Sequence, residues 1–481
     1  MDNWITKQAQ LAPQKIAVTD GHQSLTFATL AQRLTQVAGQ LAAVGALTQP
    51  RVAMLTDNSL AGYQVALALL GTGHTIVWLN KRLPTTELRR QLQDSTVATC
   101  LVADDLWREG LGVNAVRFGT LLTTAATPRP LVATFDVHQV ASIMYTSGTT
   151  GQPKGVLQTF ENHYTSAIAS ALNLGVMPDD EWLCTVPIFH ISGFSIMMRG
   201  LIYGMTVRLV PQFDAPAIAH ILRTEPVTLI SVVPFMLKKL LDQQTPTAAP
   251  YCALRGMLLG GGPIDQATLR RCQQQGVPVV QSYGMTETAS QVVALNFADA
   301  PSHVGSSGKP LFTTQLQLTP QTHEILLKTP ALAAGYLGQP EKFAAKLTAD
   351  GWYHTGDVGH LDEAGFLYVD GRLDDMIISG GENIFPDAIE AAYQSAPGVR
   401  DIAVVGRSDA EWGMVPVAFV VSDYPLDVAA LVAFGRQHLA HYQVPQTFIP
   451  VVEIPHNGNG KVQRAKLRAP YNSLKSCHFK K

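Results

Sequence analysis

Charge is scarce in this sequence, and neither sign prevails. Charged residues make up 15% of the 481 positions, and 35 Lys+Arg against 37 Asp+Glu leave a net charge of −2. A duplex nucleic-acid binder needs a basic surface to neutralise phosphates, so that class is excluded. Cysteine is rarer still. Cys100, Cys184, Cys252, Cys272 and Cys477 are scattered and odd in number, with no CxxC pair and no Cys/His metal spacing. Neither a disulfide scaffold nor a zinc module is expected. No apolar run approaches the roughly 18 residues of a membrane span. The opening MDNWITKQAQLAPQK lacks a basic segment followed by an apolar stretch, so no signal peptide is read there. What is plentiful is apolar: 46% of residues are hydrophobic, which excludes wholesale disorder. At about 100–200 residues per domain the length implies two to four domains. The expectation is a cytoplasmic multidomain enzyme with small-molecule partners, no nucleic acid and no membrane span; a homo-oligomer is left open.

The patterning is α/β. After SLTF, ATLAQRLTQVAGQLAAVG, RVAMLT and YQVALALLG, the middle of the chain alternates strand-like and helical runs. VASIMYT, EWLCTVP, TVRLVP, VTLISVVP, LRGMLLGGG and VPVVQSYG read as strands. ENHYTSAIASALNL, ISGFSIMMRGLIYG, APAIAHILRTE and DQATLRRCQQQG read as helices. Such alternation implies parallel sheets covered by helices on both faces. From about residue 302 short strands with turns replace it, which predicts a β subdomain within 302–372. An α+β texture follows. The expected division is 1–372, two α/β subdomains plus the β subdomain, and 373–481, a small C-terminal domain.

The run Tyr145-Thr-Ser-Gly-Thr-Thr-Gly-Gln-Pro-Lys-Gly155 follows an apolar strand and precedes a helix. Glycine exposes N–H groups that suit phosphate oxygens, the hydroxyls of Thr146, Ser147, Thr149 and Thr150 add donors, and Lys154 adds charge. Position 153 is proline, so the run is not the GxxxxGK[ST] loop of the NTPases. A solvated Ser/Thr/Gly turn is the bland alternative.

Five further runs stand in order: Gly260-Gly-Gly-Pro263, Ser282-Tyr-Gly-Met-Thr-Glu287, Tyr353-His-Thr-Gly-Asp-Val358, Gly371-Arg-Leu-Asp-Asp375 with Ile378-Ser-Gly-Gly-Glu-Asn383, and Asn459-Gly-Lys461. Together with the first, they resemble the acyl-adenylate-forming, AMP-binding enzymes, whose reactions join a carboxylate to AMP. Within that family the closer resemblance is to the ligases that act on 2-succinylbenzoate in menaquinone biosynthesis. It is carried by the stretch Ala171–Val210, LLGGGP, QSYGMTETASQ and GKPLF.

The resemblance implies ATP, Mg²⁺ and coenzyme A as co-substrates. It implies nucleotide contacts from Thr146, Ser147, Gly148, Thr149, Thr150, Lys154, Tyr283, Thr286, Asp357 and Arg372. Glu287 is expected at the metal, a hard cation that prefers oxygen. Lys461 is expected to bridge the carboxylate and α-phosphate. His190 is expected to position the carboxylate, with Ser192, Gly260, Gly261 and Gly262 in the acyl pocket. Gly380 and Gly381 are expected along coenzyme A, and Asp374 at a hinge. Arg199 lies nine residues from His190, on the opposite helix face, and is not assigned to the pocket. Two departures stand out. His323 and Thr329 replace glycines usual in the family, with a hairpin near 310–324 expected to be trimmed, and His456 stands where an arginine is common. Rival readings are a ligase for another aryl or medium-chain acid and a non-catalytic acyl- or nucleotide-binding protein.

Overall fold

The computed structural model describes residues 1–146, 153–244, 250–380, 382–456 and 462–473. The chain is α/β. Apolar runs four to seven residues long form the inner strands of two large sheets. A seven-stranded sheet runs Gly335–Tyr336, Lys154–Thr159, Val140–Thr146, Thr75–Leu79, Arg51–Leu55, Thr99–Val102, Asn114–Arg117. A nine-stranded sheet runs Lys309–Pro310, Ser290–Ala294, Val279–Met285, Gly256–Leu259, Leu229–Val232, Glu181–Cys184, Thr206–Leu209, Ile16–Thr19, Ser24–Thr26. Their interiors are parallel, as the alternation predicted, but both carry antiparallel strands at an edge. Lys154–Thr159, Ser24–Thr26 and Ser290–Ala294 return locally on the preceding strand, whereas the two-residue strand Gly335–Tyr336 joins its edge from far along the chain; neither kind registers as a βαβ unit in the sequence.

One hydrophobic core joins the two sheets. Val52, Met54, Ile76 and Trp78 of the first and Val18, Trp182, Cys184 and Val207 of the second belong to a single cluster. The helix Leu60–Gly71 lies in that cluster and is buried on nearly every side. Its sequence LAGYQVALALLG accordingly has no polar stripe, the mark of a helix enclosed by protein. The helix Phe160–Leu174 starts at a capping box, in which the Thr159 hydroxyl accepts from the Asn162 N–H and the Asn162 side chain accepts from the Thr159 N–H. Six helices escaped the sequence reading: Trp4–Leu11, Thr85–Asp94, Phe118–Thr123, Pro234–Leu241, Pro340–Ala344 and Arg464–Ser473.

A four-stranded antiparallel sheet follows: Gln315–Leu318, Glu324–Lys328, Tyr353–Leu361, Leu367–Arg372. In the stretch expected to be trimmed, the four residues Gln315–Leu318 pair with Glu324–Lys328. His323 takes the left-handed conformation at its turn, φ 54°, where glycine would be unstrained. Thr329 uses its hydroxyl to accept from the Ala331 N–H. The last unit is α+β, a sheet of five strands built on the long pair Val399–Asp409 and Gly413–Ser422. Among the described residues no helix is long and apolar enough to cross a membrane.

Candidate active site

The carboxyl ends of adjacent parallel strands are where open α/β sheets gather ligands. Here Glu181–Cys184 leads to His190, Gly256–Leu259 leads to Gly260, Gly261 and Gly262, and Val279–Met285 carries Tyr283 into the turn Thr286–Thr288. From the other sheet, Val140–Thr146 ends at Thr146, which pairs with Lys154 on the returning strand. The connecting Ser147, Gly148, Thr149 and Thr150 lie outside the described residues, as do Gly381 and Lys461.

Three predicted residues form one unit. The Tyr283 hydroxyl donates to Asp357 Oδ2 at 2.7 Å, and Arg372 donates to Asp357 Oδ1 at 2.7 Å. Asp357 and Arg372 face one another across the strand pair Tyr353–Leu361 and Leu367–Arg372. Burial, then the Asp357 charge, pushes the Tyr283 hydroxyl well above its ordinary range, so it stays a donor. Gly356 sits at φ 75°, and a Cβ there would lie 3.3 Å from Arg372, so both conformation and space call for glycine. A buried glutamate that the sequence reading passed over, Glu324, accepts from the Gly356 N–H at 2.8 Å and contacts His354 Nδ1 at 2.8 Å.

A second unit surrounds Thr286 and Glu287. The Thr286 carbonyl accepts from Gln158 Nε2 at 2.6 Å, and Gln158 Oε1 accepts from the Ser142 hydroxyl at 2.7 Å. His163 Nε2 lies 2.9 Å from that hydroxyl, so the ring is the donor there. Burial pushes the His163 imidazole down to about 3, keeping it neutral. The Glu287 carbonyl accepts from the Ala333 N–H at 2.7 Å, and Glu287 Oε1 accepts from the Tyr336 hydroxyl at 2.8 Å. Lys154 Nζ lies 5.0 Å from the centre of the Tyr336 ring. Tyr336 therefore links two predicted site residues, yet within ALAAGYLGQP nothing marked it as more than core. The turn is tightly made: a Cβ on Gly284 would lie 2.1 Å from the Ser290 carbonyl oxygen. Ala289 and Ser290 both have positive φ, 51° and 127°, a conformation costing non-glycine residues of order 1–3 kcal/mol that persists only where the surrounding structure holds it.

His190 occupies the N-cap position of the helix Ile191–Tyr203 without capping it. Its buried Nε2 has no hydrogen-bond partner among the described residues, and burial, helped by Arg82, pushes the imidazole down to about 4. Ser192 lies in the first turn of the same helix. No hydrogen bond ties His190 or Ser192 to the two units above among the described residues. Arg199 on this helix is 1% exposed and donates to Gln291 Oε1 at 2.7 Å and Ser290 Oγ at 3.2 Å. Its Nε has no partner, and no carboxylate pairs with it, among the described residues. Gly380, at φ 58°, donates its N–H to the Trp412 carbonyl at 2.9 Å. Asp374 lies in the turn Leu373–Asp375 between the last two sheets.

A family model for AMP-binding enzymes matches residues 5–337, and one for the AMP-binding enzyme C-terminal domain matches residues 388–461. The chain belongs to the AMP-binding enzyme family. Its curated relatives include the 2-succinylbenzoate–CoA ligase of Listeria monocytogenes, 43% identical over 97% of this chain and 99% of that protein. The o-succinylbenzoate CoA synthetase of Bacillus subtilis, in complex with the acyl-adenylate intermediate OSB-AMP, superposes with a TM-score of 0.92 at 37% identity, covering 99% of both chains. Its complex with ATP and magnesium ion gives 0.92 at 38%, over 97% of this chain and 99% of that one. A double mutant of it bound with its product analogue OSB-NCoA gives 0.75 at 38%, over 98% of both. At almost equal identity and coverage, this AMP-binding enzyme thus matches the adenylate- and ATP-bound arrangements better than the product-bound one.

Proposed function

We propose that this AMP-binding enzyme is an ATP-dependent acid–CoA ligase. It converts 2-succinylbenzoate, ATP and coenzyme A to 2-succinylbenzoyl-CoA, AMP and pyrophosphate through an acyl-adenylate, in menaquinone biosynthesis. The observation that carries this is the end-to-end likeness, at 43% identity, to a ligase named for that acid. Arg199 supports it from the structure. A fully buried guanidinium without a carboxylate is costly unless a charge meets it. Helical spacing sets Arg199 away from His190, but Ser290 and Gln291, which it contacts, pair with Met285 and Gly284 of the site strand. In this reading an acid with two carboxylates, one activated beside His190, leaves the second to face Arg199 from that strand.

A carboxylate attacking the α-phosphorus brings two anions together, so alignment and charge neutralisation are the work to be done. In this reading Thr146–Lys154 holds the β- and γ-phosphates, and the Tyr283–Asp357–Arg372 unit holds the nucleoside, with Asp357 accepting from the ribose. Neutral His190 orients the attacking carboxylate beside Ser192 and Gly260–Gly262. Lys461 bridges carboxylate and α-phosphate. Mg²⁺, when bound, neutralises phosphate charge. Glu287 fits it, because Oε2 has no hydrogen-bond partner among the described residues and Mg²⁺ commonly takes one or two protein carboxylates beside substrate phosphates. Residues 1–372 and 373–481 act as two domains about Asp374, with Gly380 and Gly381 along coenzyme A in the second half-reaction. The compartment is the cytoplasm.

Pyrophosphate release, measured across 2-succinylbenzoate, benzoates and C4–C12 fatty acids with and without coenzyme A, tests this. The greatest kcat/KM is expected for 2-succinylbenzoate, and Arg199→Met should raise its KM far more than that of benzoate. A higher kcat/KM for a fatty acid or simple benzoate would replace the substrate.

A further inference from the structure

Three lysines face the same corner of the nucleotide site. Lys154 Nζ lies 5.0 Å from the ring centre of Tyr336, and Lys346 Nζ lies 5.4 Å from that of Tyr353. The two tyrosine hydroxyls are 3.1 Å apart, so the two ammonium groups ride on one aromatic pair. Lys342, four residues before Lys346, extends the group outward; its Nζ donates to Gln339 Oε1 at 2.7 Å. Lys346 itself donates to the His354 carbonyl at 3.2 Å. Among the described residues none of the three has a carboxylate within the 4.0 Å of an ion pair. The loop between Thr146 and Pro153, Ser-Gly-Thr-Thr-Gly-Gln, contains no acid to add.

Lysines gathered in this way repel. Burial, with Lys346 and Lys342, lowers the Lys154 pKa, while Glu287 and Asp374 oppose the shift. Cations left without acids beside a phosphate loop call for a polyanion from outside the chain.

We infer that Lys346 and Lys342 extend the Lys154 corner into a binding site for pyrophosphate, both as the leaving half of ATP and as the departing product. The inference rests on the ligase reading above. In that reaction the bond between the α-phosphorus and its bridging oxygen breaks, and the electron pair leaves on pyrophosphate. The three ammonium groups stabilise the charge that gathers there. Because Lys346 and Lys342 neighbour Lys154 and make no contact with His190 among the described residues, they are assigned to the phosphates and not to the acid.

The test is acid-dependent exchange of labelled pyrophosphate into ATP, with product inhibition by pyrophosphate as a second readout. Lys346→Met, and more so Lys342→Met/Lys346→Met, should raise the KM for pyrophosphate and its inhibition constant by about fivefold, a size typical of partly exposed charge pairs. The KM for the acid should not change, and Lys346→Arg, which keeps the charge, should stay near the wild type. Unchanged pyrophosphate constants in the double variant would overturn the inference while leaving the ligase reading standing. So would a Lys346→Arg variant as impaired as Lys346→Met. A wild-type protein that exchanges pyrophosphate with none of the acids would overturn both.

Discussion

At Glu287 a single hydroxyl decides how a carboxylate is presented. The Tyr336 O–H occupies Oε1, and among the described residues Oε2 has no hydrogen-bond donor, which leaves it for the proposed cation. Tyr336→Phe should therefore raise the Mg²⁺ concentration needed for half-maximal ATP binding by a few fold, read by calorimetry without any acid. The ring stays in place beneath Lys154, so ATP affinity at saturating Mg²⁺ should hold. Glu287→Gln should raise that requirement much further, since it removes the charge that attracts a hard cation. Identical Mg²⁺ titrations in wild type and both variants would remove Glu287 from the metal. Lys154 was singled out because its run is dense with glycine and hydroxyls, and Glu287, Tyr283 and Asp357 because the runs around them resemble those of the AMP-binding family. Tyr336, Gln158 and Glu324 could not. Each acts by touching a predicted residue from a distant part of the chain, and a contact of that kind leaves no local pattern.

Among the elements, the helix Phe160–Leu174 and the strand Val140–Thr146 are held together by His163 and Ser142. His163 donates from Nε2, and its Nδ1 is buried with no partner among the described residues. A second proton would have to sit on Nδ1, facing nothing that accepts it. The folded pKa, about 3, lies below the ordinary 6.5, so the unfolded state binds the proton more readily. This contribution to stability is complete above about pH 6.5 and is lost as pH falls toward 3. Thermal unfolding between pH 7 and 4 should show a steeper loss for wild type than for His163→Asn. Glu390 is shifted up by burial, against the pull of Arg464, and acts in the opposite direction, but it is common to both proteins and cancels in the difference. Parallel curves would mean that His163 is protonated without cost. The elements themselves were largely legible: the apolar runs and three-to-four spacing marked most inner strands and helices. The edge strands were not, being only two to six residues long, nor were helices such as Thr85–Asp94, whose only apolar residues are Leu88 and Leu92, and Pro234–Leu241, of eight residues. The two strands around His323 were legible as short strands with a turn between them; that the turn closes without glycine was not, because His323 itself takes the left-handed conformation.

For the molecule as a whole, two sets of contacts meet within a few residues. Arg372 is tied to Asp357 in the four-stranded sheet. Asp375 is tied to Arg464 at 3.4 Å and Arg468 at 2.8 Å, beside the buried carboxylate of Glu390, which also pairs with Arg464. Only Leu373 and Asp374 stand between those anchors, so a rotation of residues 375–481 would have to turn there. Proline fixes φ near −65°. Asp374→Pro should then hold one arrangement, and adenylation and thioester formation, assayed separately, should fall by very different factors. Equal rates for both half-reactions would move the pivot elsewhere.

The first long-lived partner of the strand Ile16–Thr19 is Thr206–Leu209, and the Thr206 hydroxyl closes on the Ile16 carbonyl across 190 residues. A ribosome adding about 5–20 residues per second needs roughly 10–40 seconds to supply that partner. Through that interval the apolar Ile-Ala-Val-Thr strand has only nearby elements to cover it, among them the hairpin to Ser24–Thr26 and the helix Phe27–Ala43. Because both large sheets share one core, neither can finish without the other. The nascent chain is therefore committed to a long exposed wait, and its yield should depend on translation speed and holding chaperones more than its finished packing would suggest.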